Sequence, residues 1–259
     1  MNKNLRDFLI AVLLLFAFIF SFYGVVYLVN IDSNIIKENN VKKVEIIDKD
    51  KDKEEEKDKE EEKPYVEPYV NNLPTFRNNY NNPNIAGMIE IPGVINEALI
   101  ARAGDNDFYL NRNLWNVWDG IGAPFFDYRN TDIDNSRQVN IYGHNSQNIN
   151  ILDRLPLAKL INYTDLSFFN TYKDVYLYTD IQKIHYEIIG VKIIQKSNNY
   201  HMTLNFYDDR DFIDHTNNLL NGSLNKRDVT ISKNDKLLIF QTCNYDPPDT
   251  LMLIICKSV

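Results

Sequence analysis

Sixteen consecutive charged residues, Asp48 to Lys63, place the firmest limit on this chain. Ten are acidic and six are Lys, so the run cannot enter an apolar core and any folded domain must lie to one side of it. It reads as a solvated stalk, either a disordered spacer or one exposed helix held by Glu and Lys pairs four apart. Before it, Phe8 to Val29 is a run of 22 residues without a charge. Such a run crosses ~30 Å of hydrocarbon at about 1.5 Å per residue, whereas the apolar core of a cleavable signal peptide is only ~7–15 residues long. No A-x-A cleavage site follows, so a retained transmembrane anchor over residues 8–29 is expected. Lys3 and Arg6 place residues 1–7 in the cytoplasm by the positive-inside rule, and everything after Asn30 outside the cell membrane.

Residues 30–82 make up the stalk and a Pro-interrupted lead-in, and residues 83–259 are the right size for one domain. With 44% of the chain hydrophobic there is apolar mass for a core. A net charge of −8 leaves no basic footprint, so no nucleic-acid partner is expected. Short segments rich in β-branched and aromatic residues predict eight strands: 87–91, 98–102, 122–126, 137–142, 175–178, 185–194, 236–242 and 251–257. Residues 151–161 and 208–220 carry helix-like apolar spacing. The fold class is therefore mainly β with inserted helices, best met by a small barrel.

Two cysteines cannot form a disulfide framework, although one bridge between them is an open alternative. Cys256 lies within the apolar run LMLIICK, where a thiol is usually filler. Cys243 ends the run KLLIFQTC ahead of the turn-forming NYDPPD, a strand-to-loop junction of the kind that carries function. Thiol catalysis needs a neighbour that stabilises the thiolate and later protonates a leaving amine, and imidazole does both. Of the four histidines, His185, His201 and His215 fall in strand, loop and helix patterns that suit structural or surface roles. His144 in NIYGHN projects beyond a strand end, as Cys243 does, with Gly143 allowing a tight backbone. The two Cys and four His show no close pair spacing, so neither a metal nor a cofactor is expected. Thr242 and Tyr245 are candidates for orienting the Cys strand end or contacting substrate, and Asn145 for orienting the imidazole. Trp115 and Trp118 read as packing on the barrel exterior or the N-terminal segment.

NIYGHN and IFQTC in this order resemble the histidine and cysteine motifs of the sortases, the membrane-anchored cysteine transpeptidases of Gram-positive bacteria. NPNIAGMIEIPG from Asn82, DNDFYLNR from Asp105 and FFDYRN from Phe125 resemble the class B branch, as does a helix before the cysteine strand. The resemblance covers nearly all of residues 83–259. It implies a closed eight-stranded sortase-type β-barrel. Cys243 would attack a Thr carbonyl in the C-terminal sorting signal of a secreted protein, and His144 would relay the proton. The acceptor would be an amine of a peptidoglycan precursor or a pilin. One feature departs from the family, which uses an Arg on the last strand to stabilise the oxyanion. Counting back from Lys257, that position falls at or next to Leu251, and no Arg or Lys lies between Cys243 and Lys257. Arg102, Arg129 and Arg137 are the candidates to substitute from another loop, and backbone amides acting alone are the alternative. Alternatively the domain has lost transpeptidation and persists as a peptide-binding or scaffold protein at the membrane. A papain-like hydrolase fits poorly, because there the Cys opens a helix and precedes the His.

Overall fold

A computed structural model describes residues 69–259. The expected anchor and the charged stalk lie outside these residues. No helix among the described residues is long and apolar enough to cross a membrane.

Among the described residues nine strands form one sheet: β1 (Ile85–Ile91), β2 (Ile95–Ala101), β3 (Phe125–Phe126), β4 (Gln138–Tyr142), β5 (Asp174–Tyr178), β6 (Lys183–Gln195), β7 (Asn225–Lys226), β8 (Leu237–Asn244) and β9 (Thr250–Ser258). The order is β5-β1-β2-β3-β4-β8-β9-β6-β7, and pairing of β5 with β6 closes the ring. Eight strands therefore make the barrel, as the sequence predicts, and the two-residue β7 hangs on the outer edge of β6. Closure leaves the ring no free edge to pair with another chain. All pairings are antiparallel except β2 with β3 and β4 with β8.

Strand alternation sorts the side chains into two cores. Leu238 and Phe240 of β8 point into the barrel with Met252, Ile254 and Cys256 of β9, while Leu237, Ile239, Leu253 and Ile255 point outward. The outward set is covered by helix α3 (Asp209–Leu220), through Phe212, Leu219 and Leu220. β8 and β9 are thus buried on both faces, which explains why both read as unbroken apolar runs. Each such buried side chain contributes about 1.5–3 kcal/mol. Helix α3 starts where Asp208 caps it, accepting from the Asp211 N–H at 2.8 Å, with Asp209 and Asp211 in the first turn favoured by the helix dipole.

Five local differences from the sequence reading have physical causes. Helix α1 (Leu73–Tyr80) lies within the lead-in stretch, with Pro at its start, and packs Leu73 against Ile85 and Leu99. The segment 151–161, read as carrying helix-like spacing around Pro156, forms two 3₁₀ stretches, Ile149–Arg154 and Pro156–Thr164. Pro156 disfavours a helical Leu155, which takes φ −109° and ψ 91°. The strand expected over 122–126 shrinks to β3, because Gly122 turns at φ +66° and Pro124 has no N–H for a ladder. A short helix α2 (Leu166–Thr171), capped by Asp165, and the strand β7 have no apolar period long enough to read.

Candidate active site

The parallel pairing of β4 with β8 runs from Gln138 opposite Leu237 to Tyr142 opposite Gln241 without a slip. Carrying the same offset two residues further places His144 beside Cys243, and the Gly143 N–H continues the ladder to the Gln241 carbonyl at 3.2 Å. Parallel strands leave the sheet at the same end, and residues two apart share a face. The pairing therefore presents an imidazole and a thiol side by side at one end of the barrel, on the outer face of the sheet. Gly143 has a different purpose from the one read in the sequence. Its φ is not positive, but a Cβ there would lie 2.7 Å from Leu157 Cδ1, so its absence lets the second 3₁₀ stretch pack against the strand end.

The two groups tune each other. Hydrogen bonding to His144 holds the half-buried Cys243 thiol below the usual thiol range, against the opposing effect of burial. The same bond raises His144 above an ordinary histidine, again against burial and with help from a backbone carbonyl. That carbonyl belongs to Leu110, 2.7 Å from Nε2. A carbonyl only accepts, so Nε2 carries the proton and Nδ1 is left for the sulfur. The effect is to favour the thiolate and imidazolium pair that nucleophilic attack requires. Cys256 is the opposite case: buried in the barrel, its thiol is pushed well up. Both cysteines are free, which removes the bridged alternative.

Asn145 does not orient the imidazole. Its side-chain amide donates to the Cys243 carbonyl at 3.2 Å, and its oxygen accepts from the Ser146 N–H at 2.8 Å. Tyr245 OH donates to the Asn145 carbonyl at 2.7 Å. These bonds tie the two strand ends together, while the orienting role falls to Leu110, a main-chain group that residue types cannot reveal. Thr242 points the other way from Cys243, into the barrel, and its buried hydroxyl has no partner. Leu251 stands directly across from Cys243 on β9, so the residue facing the thiol there is apolar.

Two of the three arginines considered as substitutes are engaged elsewhere. Arg129 pairs with the fully buried Asp127 at 2.6 Å and donates to the Met202 carbonyl at 3.0 Å. Arg137 precedes β4 at the end away from His144, where it meets Asp209 at 2.9 Å and lies over the Phe212 ring. Arg102 follows β2, and its buried Nε has no hydrogen-bond partner. His185 pairs with Asp174 at 2.7 Å and stacks on Tyr176. His201 and His215 are buried against Gln241 and Gln138, both with lowered pKa because of burial, and His215 falls to about 4. Trp115 packs on Tyr80 of α1, with ring centroids 4.5 Å apart, whereas Trp118 is 74% exposed and does not pack as expected. Among the described residues no group of three or more His, Cys, Asp or Glu could hold a metal.

No family model matches the sequence. Sortase B of Listeria monocytogenes is 26% identical over 163 residues, 63% of this chain and 64% of that protein, so the chain spans just under two-thirds of the curated relative it matches. Among solved structures, sortase B of Clostridium perfringens is 26% identical, with a TM-score of 0.65 over 72% of this chain and 99% of that one. A cysteine-to-serine mutant form of the same enzyme matches with a TM-score of 0.64, over 72% and 86% of the two chains.

Proposed function

Proceeding from the chain's place in the class B-like sortase family, we propose that it is a membrane-anchored cysteine transpeptidase acting on C-terminal sorting signals outside the cell membrane. The observation that carries this reading is the placement of Cys243 and His144 side by side at the ends of adjacent parallel strands, with the imidazole held by the Leu110 carbonyl. The Cys243 thiolate attacks the carbonyl carbon of the sorting-signal peptide bond, and the carbonyl oxygen takes up the negative charge. Collapse of this intermediate breaks the C–N bond, and His144 gives its proton to the departing amine, leaving a thioester and a neutral imidazole. An amine on a peptidoglycan precursor or a pilin then attacks the thioester and returns a proton to His144. The new amide leaves, and the sulfur departs as thiolate. Leu110 keeps the ring in one orientation through both proton transfers. The apolar run Phe8 to Val29 and the charged stalk would hold the domain at the outer face of the membrane, where exported substrates emerge.

The apolar Leu251 opposite the thiol favours a second reading, a sortase-like protein that binds sorting peptides as a scaffold without turning them over. One experiment separates the two. The full chain is incubated with a library of sorting-type peptides and an amine nucleophile, beside Cys243→Ala and His144→Ala variants. Cleavage, ligation and a thioacyl adduct in intact mass are scored. Turnover lost in both variants supports the transpeptidase. Peptides that bind the folded chain but are neither cleaved nor trapped favour the scaffold.

A further inference from the structure

A tetrahedral intermediate at Cys243 needs positive charge or hydrogen-bond donors close to its oxygen, because in a partly dry site an uncompensated oxyanion is costly. Leu251 offers neither. The cross-strand row continues from Cys243 through Leu251 to Ile194 on β6, and the next row runs from Asn244 through Thr250 to Gln195. Lys196 comes one residue later, and its N–H donates to the Asp249 carbonyl at 3.1 Å, extending the β6–β9 ladder past the strand end. Residues 194 and 196 share a face by alternation, and that face is the one carrying Leu251 and Cys243. Two strand spacings of about 4.8 Å separate β6 from β8, a gap that the flexible four-carbon stem of a lysine can largely span.

Lys196 is also free to move. Its ammonium lies 3.8 Å from Asp249 Oδ1, beyond hydrogen-bond distance, and the two side chains are 51% and 89% exposed. Such a surface pair is worth only ~0–1 kcal/mol, so a developing oxyanion can draw the lysine away. Other cations on β6 and β9 are held. Lys192 donates to the Asn218, Leu219 and Asn221 carbonyls, Lys183 sits over the Tyr176 and Tyr178 rings, and Lys257 meets Asp235 at the other end of β9.

We infer that Lys196 supplies, from the end of β6, the positive charge that the position across from Cys243 lacks, and that it clamps the substrate carbonyl oxygen as charge develops there. This rests on the transpeptidase reading. It agrees with the Cys243 thiolate being stabilised by Lys196 as well as by His144. Lys196 would thus be a catalytic residue, delivered by a strand different from the one that usually carries the cation in the resembled family.

The test uses the full chain with Lys196→Met, Leu251→Arg and the double variant. Peptide cleavage is followed, and in parallel the rate of Cys243 alkylation by iodoacetamide is recorded across pH. Lys196→Met is expected to lower kcat by about 10- to 100-fold with KM little changed. It should also move the alkylation midpoint to higher pH. Leu251→Arg in the Lys196→Met background should restore turnover, which a merely structural lysine would not allow. Turnover in Lys196→Met equal to that of the unsubstituted chain overturns the inference. Should the unsubstituted chain cleave no peptide, the transpeptidase reading fails separately. The alkylation midpoint then decides for Lys196: a rise sustains its charge acting on Cys243, and an unmoved midpoint overturns it.

Discussion

Substituting Gly122 by Ala tests whether the carbonyl of Leu110 organises the site. Gly122 adopts φ +66°, and a Cβ there would collide with the Tyr109 carbonyl oxygen and lie 2.8 Å from the Leu110 carbonyl oxygen. Both are main-chain atoms, so relief requires moving the short 3₁₀ turn Phe108–Leu110 that carries the partner of His144. Gly222 provides a matched control, since it has φ +71° and nothing within 4 Å of its would-be Cβ. For Gly222→Ala only the left-handed backbone penalty of about 1 kcal/mol applies, a fall in Tm of about 2–4 °C for a domain of this size. Gly122→Ala adds overpacking of about 1–3 kcal/mol, for a total of roughly 2–4 kcal/mol and a fall of about 4–16 °C. The functional signature is separate from stability. With Leu110 displaced, His144 loses a bond that raises its pKa, and its hold on the Cys243 thiolate weakens. Cys243 alkylation, measured across pH well below Tm, should show a higher midpoint in Gly122→Ala and none of that rise in Gly222→Ala. Equal Tm losses in the two variants, with unchanged alkylation profiles, would refute the reasoning.

Three further outcomes are expected. His215 is buried with a pKa near 4, against about 6.5 unfolded, so between these values the unfolded chain binds a proton that the native one does not; stability should fall by on the order of 3 kcal/mol as pH drops through that window, and His215→Gln should shift acid unfolding to lower pH, an unchanged acid midpoint counting against it. Native protein treated with iodoacetamide should take up one adduct, at Cys243, and Cys243→Ala essentially none until denaturant exposes Cys256; a second native adduct forming at a similar rate would contradict the burial of Cys256. Arg129→Met leaves the buried Asp127 carboxylate with Tyr142 OH and the residue 129 N–H in place of an ion pair, and because the Arg129 side chain is 40% exposed the loss in urea unfolding should sit at the low end of about 3–5 kcal/mol; a change within about 0.5 kcal/mol would be incompatible with the pair.

Periodicity and residue chemistry were enough to locate eight strands, the helix over 208–220 and the pair His144 and Cys243, because strand alternation, acidic capping and strand-end thiols leave local marks on a sequence. The absence of Arg opposite the thiol was also legible, since the interval from Cys243 to Lys257 contains no cation. The short β7 and α2 leave no such marks, and Pro156 turned an apparently helical stretch into two 3₁₀ turns. Only the tertiary structure could make a main-chain carbonyl at Leu110 the partner of His144, reassign Asn145 to the Cys243 carbonyl and bring Lys196 onto the face of Cys243. The division has a physical origin. Side-chain type and spacing are written in the sequence, whereas the partners a group meets across a closed barrel depend on strand order and register, which bring together residues far apart in the chain.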